Sequence, residues 1–404
     1  MDGSADRVPV RLPPPGGSVG STPRDVCTLV VPDDALDREW DALALATGGA
    51  PFLRPGWMWA WMAAFNPRRQ LRLLTVRRGE DLVALLPVLT STRGVVVPVN
   101  VETPVMEPLA VDDEALAALV PGLLGRGGRA YLSLLPEGNR ARVLMAAAEA
   151  RGFPSRCEVV RRSPYTRVDG EWEAFQRSVV PGKRRKSLRR LEEKLSARGR
   201  VDFEIHDGGQ DLSALLTEGL GLELGGWKGE QGTAVLSRPQ TEQFYRSVAE
   251  WAARAGMLRL YFLRLDGRAI AFGYRLEQQG VIYALKTAHA ETFREYGPGF
   301  LLMNRLLADA FGRPDVRQVE WLGVDDPHKL DFASGVRQTL RLQLFSGGAA
   351  GAMERGLAAA VAVARAEARR RLSLERRKQV RRALKGVIAA APIATAARRD
   401  GGRT

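Results

Sequence analysis

Cysteine is nearly missing from this chain: Cys27 and Cys157 are the only two in 404 residues. Two thiols build neither a disulfide framework nor a cysteine-ligated zinc site, and such scarcity suits a reducing compartment. His206, His289 and His328 are the only histidines, and their separations match no metal-ligand spacing, so no metal is expected. No apolar run approaches the roughly 20 residues that cross a bilayer. The opening residues, Met1-Asp2-Gly3-Ser4-Ala5-Asp6, lack the basic-then-apolar order of a secretory signal. These absences lead to the expectation of a cytoplasmic protein. No serine or cysteine nucleophile with a histidine partner is readable, which disfavours Ser-His-Asp hydrolysis, although a triad assembled only in space leaves no such trace.

Charge is present but unevenly placed. Of the net +14, residues 177–200 supply +8 and residues 353–404 supply +10, which leaves −4 for everything else. The body is therefore not basic, and the excess argues for local anionic partners rather than a cationic surface throughout. A hydrophobic content of 45% with 26% charged residues is an ordinary globular balance, enough for two or three cores.

Periodicity divides the chain into four parts. Residues 1–24, with Pro13-Pro14-Pro15-Gly16-Gly17, read as a disordered lead-in. Residues 25–160 alternate helix and strand: a helix over Asp33–Ala46, a tryptophan-rich helix around Trp57, Trp59 and Trp61, and strands Leu71–Val76 and Leu82–Leu89. A helix over Glu114–Leu124, a strand Ala130–Leu135 and a helix Arg140–Arg151 complete it. Residues 161–348 begin with helices over Trp172–Ser178 and Lys183–Arg198, the latter with Leu188, Leu191 and Leu195 on one stripe. Helices over Leu212–Leu222 and Gln240–Ala255 follow, then strands Leu258–Leu265, Ala269–Gln278 and Val281–Leu285, with Asp266-Gly267 a hairpin turn between the first two. Residues 349–404 repeat apolar positions such as Leu357, Val361 and Ala364, then Val380, Leu384 and Ile388, at helical spacing. They read either as basic helices with a solvated face or as a peripheral attachment to anionic membrane at its inner surface.

The densest signal is Arg294-Glu295-Tyr296-Gly297-Pro298-Gly299, between the strand Val281–Leu285 and a helix from Phe300 to Phe311. Both glycines are expected to take positive φ and approach a ligand, Pro298 suits a first helical position, and the free amides of a helix start attract phosphate. It is neither of two common cradles: Leu302 stands where the dinucleotide fingerprint requires a third glycine, and no Gly-x-x-x-x-Gly-Lys-Ser/Thr occurs.

Arg-x-x-Gly-x-Gly at such a junction resembles the pyrophosphate loop of GNAT acyltransferases. Four blocks in order resemble the CelD-like branch of that superfamily, linked to polysaccharide biosynthesis and related to FemAB-type transferases. They are Lys183–Arg190, Gly226-Trp227-Lys228-Gly229 with Gly232-Thr233-Ala234, Lys286–Gly299, and Gly323-Val324-Asp325-Asp326-Pro327-His328-Lys329. The resemblance implies an α+β (α/β) fold of two tandem GNAT-like domains. Each would be a mixed, mostly antiparallel sheet flanked by helices, with the second complete. It implies acyl transfer from acetyl-CoA or another acyl-CoA to an amine of a small molecule or glycan precursor, without a metal and without nucleic acid as the expected partner.

In the same reading Arg294, Tyr296, Gly297, Pro298, Gly299 and Phe300 hold the cofactor, and Trp227, Lys228, Lys183, Arg184 and Arg185 hold the substrate. Asp325 is the favoured base, with Glu320 as competitor. Lys286, His328 and Lys329 complete the catalytic set, and backbone amides around Leu285–Thr287 face the oxyanion. His328 replaces a tyrosine frequent in the family, so the acid for the departing thiolate is open. Each residue has a plainer role to set beside this: Asp325 and Asp326 before Pro327 equally suit a turn and helix cap. Two other functions stand beside the first, a FemAB-like transferase drawing on aminoacyl-tRNA and a non-catalytic scaffold for anionic membrane or nucleic acid.

Overall fold

Asp33 begins the first helix by accepting a hydrogen bond from the Leu36 amide at 2.8 Å. In this computed structural model, which describes residues 25–371 apart from 92, 93, 126, 127 and 210, that helix (α1, Asp34–Ala46) follows strand β1 (Val26–Val30). Helix α2 (Pro55–Phe65) carries the tryptophans. Trp57 and Trp61 are buried in the core and Trp59 is exposed, its indole donating to Asp37. Strands β2 (Arg72–Arg78), β3 (Asp81–Ser91), β4 (Gly94–Val96) and β5 (Leu109–Ala110) come next. The helix expected over Glu114–Leu124 is broken into α3 (Asp113–Ala118) and α4 (Val120–Leu124), because Pro121 supplies no amide to continue the ladder across Leu119. Strand β6 (Ala130–Pro136), helix α5 (Asn139–Glu149) and strand β7 (Ser155–Arg167) lead onward.

Helices α6 (Trp172–Ser178) and α7 (Gly182–Ser196), strand β8 (Val201–His206), and helices α8 (Leu212–Leu224), α9 (Trp227–Glu230) and α10 (Pro239–Arg254) precede a meander. The meander is β9 (Leu258–Leu265), β10 (Arg268–Gln278) and β11 (Val281–His289). Asp266 and Gly267 (φ 48° and 78°), then Gln279 and Gly280 (φ 48° and 74°), make its two tight turns, the left-handed pairs that match strand twist. Helix α11 (Pro298–Phe311), strand β12 (Gln318–Glu320), helix α12 (Pro327–Leu330) and strand β13 (Gly335–Leu344) finish the body.

The described strands form one mixed, mostly antiparallel sheet in the order β1-β2-β3-β4-β6-β13-β7-β12-β11-β10-β9-β8, with β5 paired to β3. Strand β13 pairs with both β6 and β7, so the last strand of the body lies between strands of the earlier half. Residue 160, where composition divides the chain, falls inside β7. The unit ending at Ser346 is compact, and residues from Gly347 form a second unit that includes helix α13 (Gly348–Arg371). Expectations for residues 1–24 and for the helix around Val380–Ile388 lie outside the described residues.

Two apolar cores follow from the alternation of the strands. One, with Phe52, Trp57, Phe244, Phe272, Tyr274 and Leu276, fills the face under α2, α8 and α10 and extends through the first half. The other, with Leu188, Leu195, Ile270, Ile282, Leu302 and Leu306, lies under α6, α7 and α11. Leu188 and Leu195 anchor the leucine stripe of α7 as expected, with Leu191 packed partly buried beside them. Strands β1, β4, β5, β7 and β8 went unread in the sequence: β4 and β5 are too short to show alternation, and β7 carries four arginines that obscure it.

Candidate functional site: a splayed strand pair and a helix start

Strand β11 runs parallel to β12 for only three pairs, ending at Tyr283 with Glu320. Beyond that pair the strands part. The Trp321 amide bonds to the Pro164 carbonyl at 3.1 Å and its indole donates to Thr166 at 2.8 Å, so the chain after β12 leans onto β7. β11 continues to His289 with no strand on that side among the described residues. Its other edge carries a bulge: Tyr274 faces Lys286 and Arg275 faces Ala284, leaving Leu285 as the extra residue. Residues 283–287 are all partly exposed within an otherwise buried sheet.

Arg275 fills the bulge. Its guanidinium is fully buried and faces no carboxylate; it donates to the Lys286 carbonyl, to the Tyr274 carbonyl at 3.1 Å and to the Thr287 hydroxyl at 2.7 Å. Gly273 leaves the room, since a Cβ there would meet the guanidinium carbon at 3.1 Å. Burial pulls the Arg275 pKa down to about 10, which keeps the group charged at neutral pH. A trans peptide points its carbonyl and the following amide in opposite directions, so a Lys286 carbonyl held toward β10 aims the Thr287 amide toward the open side.

The first half closes the opposite face. Glu102 accepts from the Lys286 ammonium at 3.0 Å and from the Tyr245 hydroxyl at 2.9 Å, and the Lys286 ammonium lies 4.8 Å from the Tyr245 ring centre. Glu320 lies at the point where the strands part. It accepts from Gln318 at 2.6 Å and pairs with Arg337 at 2.9 Å, yet its pKa is pushed up to about 7. Desolvation outweighs the arginine because the Arg337 side chain is 52% exposed, against 12% for Glu320, so water screens the pair.

After β11 a short helical turn, Glu291–Tyr296, leads to Gly297, which alone of the two loop glycines takes the left-handed conformation (φ 55°, ψ 44°). The expectation of positive φ at Gly299 is corrected: it occupies the second position of α11, behind Pro298, where helical φ is required. The Gly297 amide is spent on the Arg294 carbonyl and the Phe300 amide on the Gly297 carbonyl, whereas the Gly299 amide has no acceptor among the described residues. A Cβ on Gly299 would lie 3.6 Å from the His289 imidazole, and one on Gly297 only 2.8 Å from the Leu191 side chain of α7. Tyr296 is buried under Lys194, which also pairs with Glu295 at 2.5 Å, while Arg294 is exposed.

The structure therefore brings several sequence candidates together at the start of α11. The Arg184 guanidinium lies 4.0 Å from the Phe300 ring centre and pairs with Asp331 at 2.7 Å, and the His328 ring meets the same Phe300 edge-on at 6.5 Å. Lys329 takes a supporting place: its ammonium donates to the Leu322 carbonyl at 2.8 Å, pinning a turn in which Leu322 and Gly323 both have positive φ. Asp325 is in an outward ion pair with Arg162 at 3.0 Å. Lys183 and Arg185 lie on α7, and Trp227 and Lys228 begin α9. Sequence reasoning missed Glu102, 184 positions from its lysine, and Arg275, which local spacing makes an ordinary strand arginine.

Residues 182–330 match the family model of an acetyltransferase (GNAT) domain. The fold is GNAT-like. Three solved structures share it at low identity. FemX has a TM-score of 0.54 and 13% identity, covering 76% of this chain and 95% of its own. The C-terminal domain of a putative lysylphosphatidylglycerol synthetase from Agrobacterium fabrum has a TM-score of 0.50 and 13% identity, with 80% and 95% covered. A conserved protein of unknown function from Bacteroides thetaiotaomicron has a TM-score of 0.51 and 9% identity, with 79% and 99% covered. No curated protein matches the sequence. Within the GNAT-like region lie the splay, the bulge and the helix start; Glu102 comes from outside the matched residues. Among the described residues no group of three or more His, Cys, Asp or Glu side chains is placed to hold a metal.

Proposed function

We propose that this protein is an acyltransferase that moves an acyl group, acetyl in the simplest case, from coenzyme A to an amine. The observation that carries the reading is the parting of β11 from β12 beside a helix start whose Gly299 amide has no acceptor among the described residues. The site suits the donor: a glycine without a side chain and an amide at a helix N-terminus accept an anionic diphosphate, with Arg294 and Arg184 nearby in charge. When bound, the donor supplies an activated thioester carbonyl. Backbone amides of β11 at the Leu285 bulge hold the carbonyl oxygen, which gathers charge as the amine attacks.

Glu320 takes the amine proton. A desolvated carboxyl with a pKa of about 7 is a better base at neutral pH than Asp325, whose carboxylate is exposed and paired with Arg162. Lys286, held by Glu102, lies at the bulge, and the departing thiolate takes its proton from water, because burial lowers the His328 pKa and leaves that imidazole neutral where Glu320 is ionised. Trp227 and Lys228 are proposed to flank the acceptor, a small molecule or glycan precursor in polysaccharide or cell-envelope metabolism. This reading places the protein in the cytoplasm, with the basic tail able to touch anionic membrane.

Calorimetry with acetyl-CoA tests the proposal. Binding lost in Gly299→Glu with an unchanged circular-dichroism spectrum is expected; a folded wild type with no affinity for any acyl-CoA overturns it. A second reading, in which the acyl group comes from a charged tRNA, is favoured by the cations of α7 that have no carboxylate partner among the described residues. Transfer of a labelled amino acid from charged tRNA, without coenzyme A, would decide for it.

A further inference from the structure

Behind the helix start, helices α6, α7 and α11 line a half-open groove of about 600 Å³. Nothing in the proposed acyl-transfer site uses it: none of its lining residues belongs to the Arg294–Phe300 loop or to β11. One wall is the face of α7 on which Arg185, Lys186 and Arg189 repeat at helical spacing, and Arg305 of α11 stands opposite. Arg305 is neutralised by Glu192, but Arg185, Lys186 and Arg189 make no side-chain hydrogen bond or ion pair with any described residue. Three unpaired cations along one wall repel each other, a cost that a bound anion removes.

The remaining lining is not that of a simple charged surface. Gln176 and Asn304 meet across the groove, the Gln176 amide donating to Asn304 at 3.3 Å, which leaves further donors and acceptors on both amides. Trp172 closes one end, its ring stacked on Phe175 at 5.8 Å and held against Phe311 at 5.5 Å. Cations for phosphate, amides for a polar ring edge and a fixed indole are the parts that hold a nucleotide, and the volume lies in the range of small-molecule sites. A short, half-open groove with one indole suits a compact ligand, whereas a nucleic acid strand needs an extended track with repeated stacking positions.

We propose that this groove binds a nucleoside diphosphate, at a site separate from the helix-start corner. Arg185, Lys186 and Arg189 hold the diphosphate, and Trp172 with Asn304 receives the nucleoside. A nucleotide-linked acceptor and a free nucleotide share this chemistry.

The test titrates the full chain with UDP, with ADP and with inorganic pyrophosphate, each with and without saturating acetyl-CoA. Binding of at least one nucleoside diphosphate more tightly than pyrophosphate is expected. It persists in the presence of acetyl-CoA and in Gly299→Glu, and weakens about tenfold or more in each of Arg185→Glu and Arg189→Glu. Arg189 is exposed and Arg185 half-buried, and neither side chain bonds to a described residue, so thermal melting of these variants stays unchanged, and a sugar-linked diphosphate binding more tightly than its parent nucleotide identifies a linked acceptor. Displacement of the nucleotide by coenzyme A overturns the separate site. So does absence of nucleotide binding, or salt-sensitive RNA binding through the same arginines without nucleotide affinity. Acetyl-CoA affinity is read in its own titration, so the acyl-transfer reading stands or falls apart from this one.

Discussion

Glu320 shows how one residue's environment sets its chemistry. Its pKa of about 7 in the fold stands against 4.5 for a free glutamate. A raised acid pKa means that its contribution to stability is fully present below about pH 4.5 and is lost as pH rises through about 7. Glu320→Gln removes the ionisation, so the variant gains roughly 1–3 kcal/mol over wild type at alkaline pH and nothing near pH 4. Urea denaturation at both pH values checks this, and a variant equally stable at both counts against a desolvated carboxyl. In the wild type, acyl transfer should rise with pH through an apparent pKa near 7, a step that Glu320→Gln abolishes. Arg275 makes a complementary case. Lysine retains the charge but cannot span two carbonyls and a hydroxyl, so Arg275→Lys should cost about 1–3 kcal/mol in urea melts and slow acyl transfer by disturbing the bulge.

Among elements, the junction of β11 and α11 was readable because its parts are local. Pro298 at the first helical position and glycine before it are short-range instructions that any strand-to-helix turn obeys. The role of Gly299 was misjudged for the same reason: a glycine in the second helical position needs no unusual φ, and what it supplies instead is a bare Cα facing His289. Gly297→Ala should destabilise the fold by about 1–3 kcal/mol, from left-handed strain together with the clash with Leu191. A Gly297→Ala variant with an unaltered urea midpoint would show that α7 is not seated on the loop. The separation of β11 from β12 had no local sign, because it depends on where the chain after Glu320 finds a partner, and it finds one on β7.

The whole molecule ties its halves together more closely than composition suggests. β13 pairs with β6 through Thr339–Leu344 and with β7 through Gly335–Leu344. A fragment starting at residue 161 therefore loses one partner of β13 entirely and half of the other, exposing strand edges that aggregate. Expression of residues 161–346 should give insoluble or protease-sensitive material, whereas residues 1–346 should melt within a few degrees of the full chain. A soluble, cooperatively melting 161–346 fragment would contradict this. The ion pair between Glu102 and Lys286 adds a functional tie, since the earlier half supplies the partner of a lysine at the bulge.

By itself the sequence determined most of the helices, the meander with its Asp266-Gly267 turn, and the strand-to-helix corner at Gly297–Gly299, since each depends on periodicity or on backbone preferences within a few residues. Only the tertiary structure decided which buried groups share the cleft: Glu320 desolvated where two strands part, Arg275 without a counter-ion under the bulge, and Glu102 across from Lys286. Desolvation and long-range pairing are properties of a neighbourhood, and residues far apart in the chain become neighbours only when the sheet is assembled.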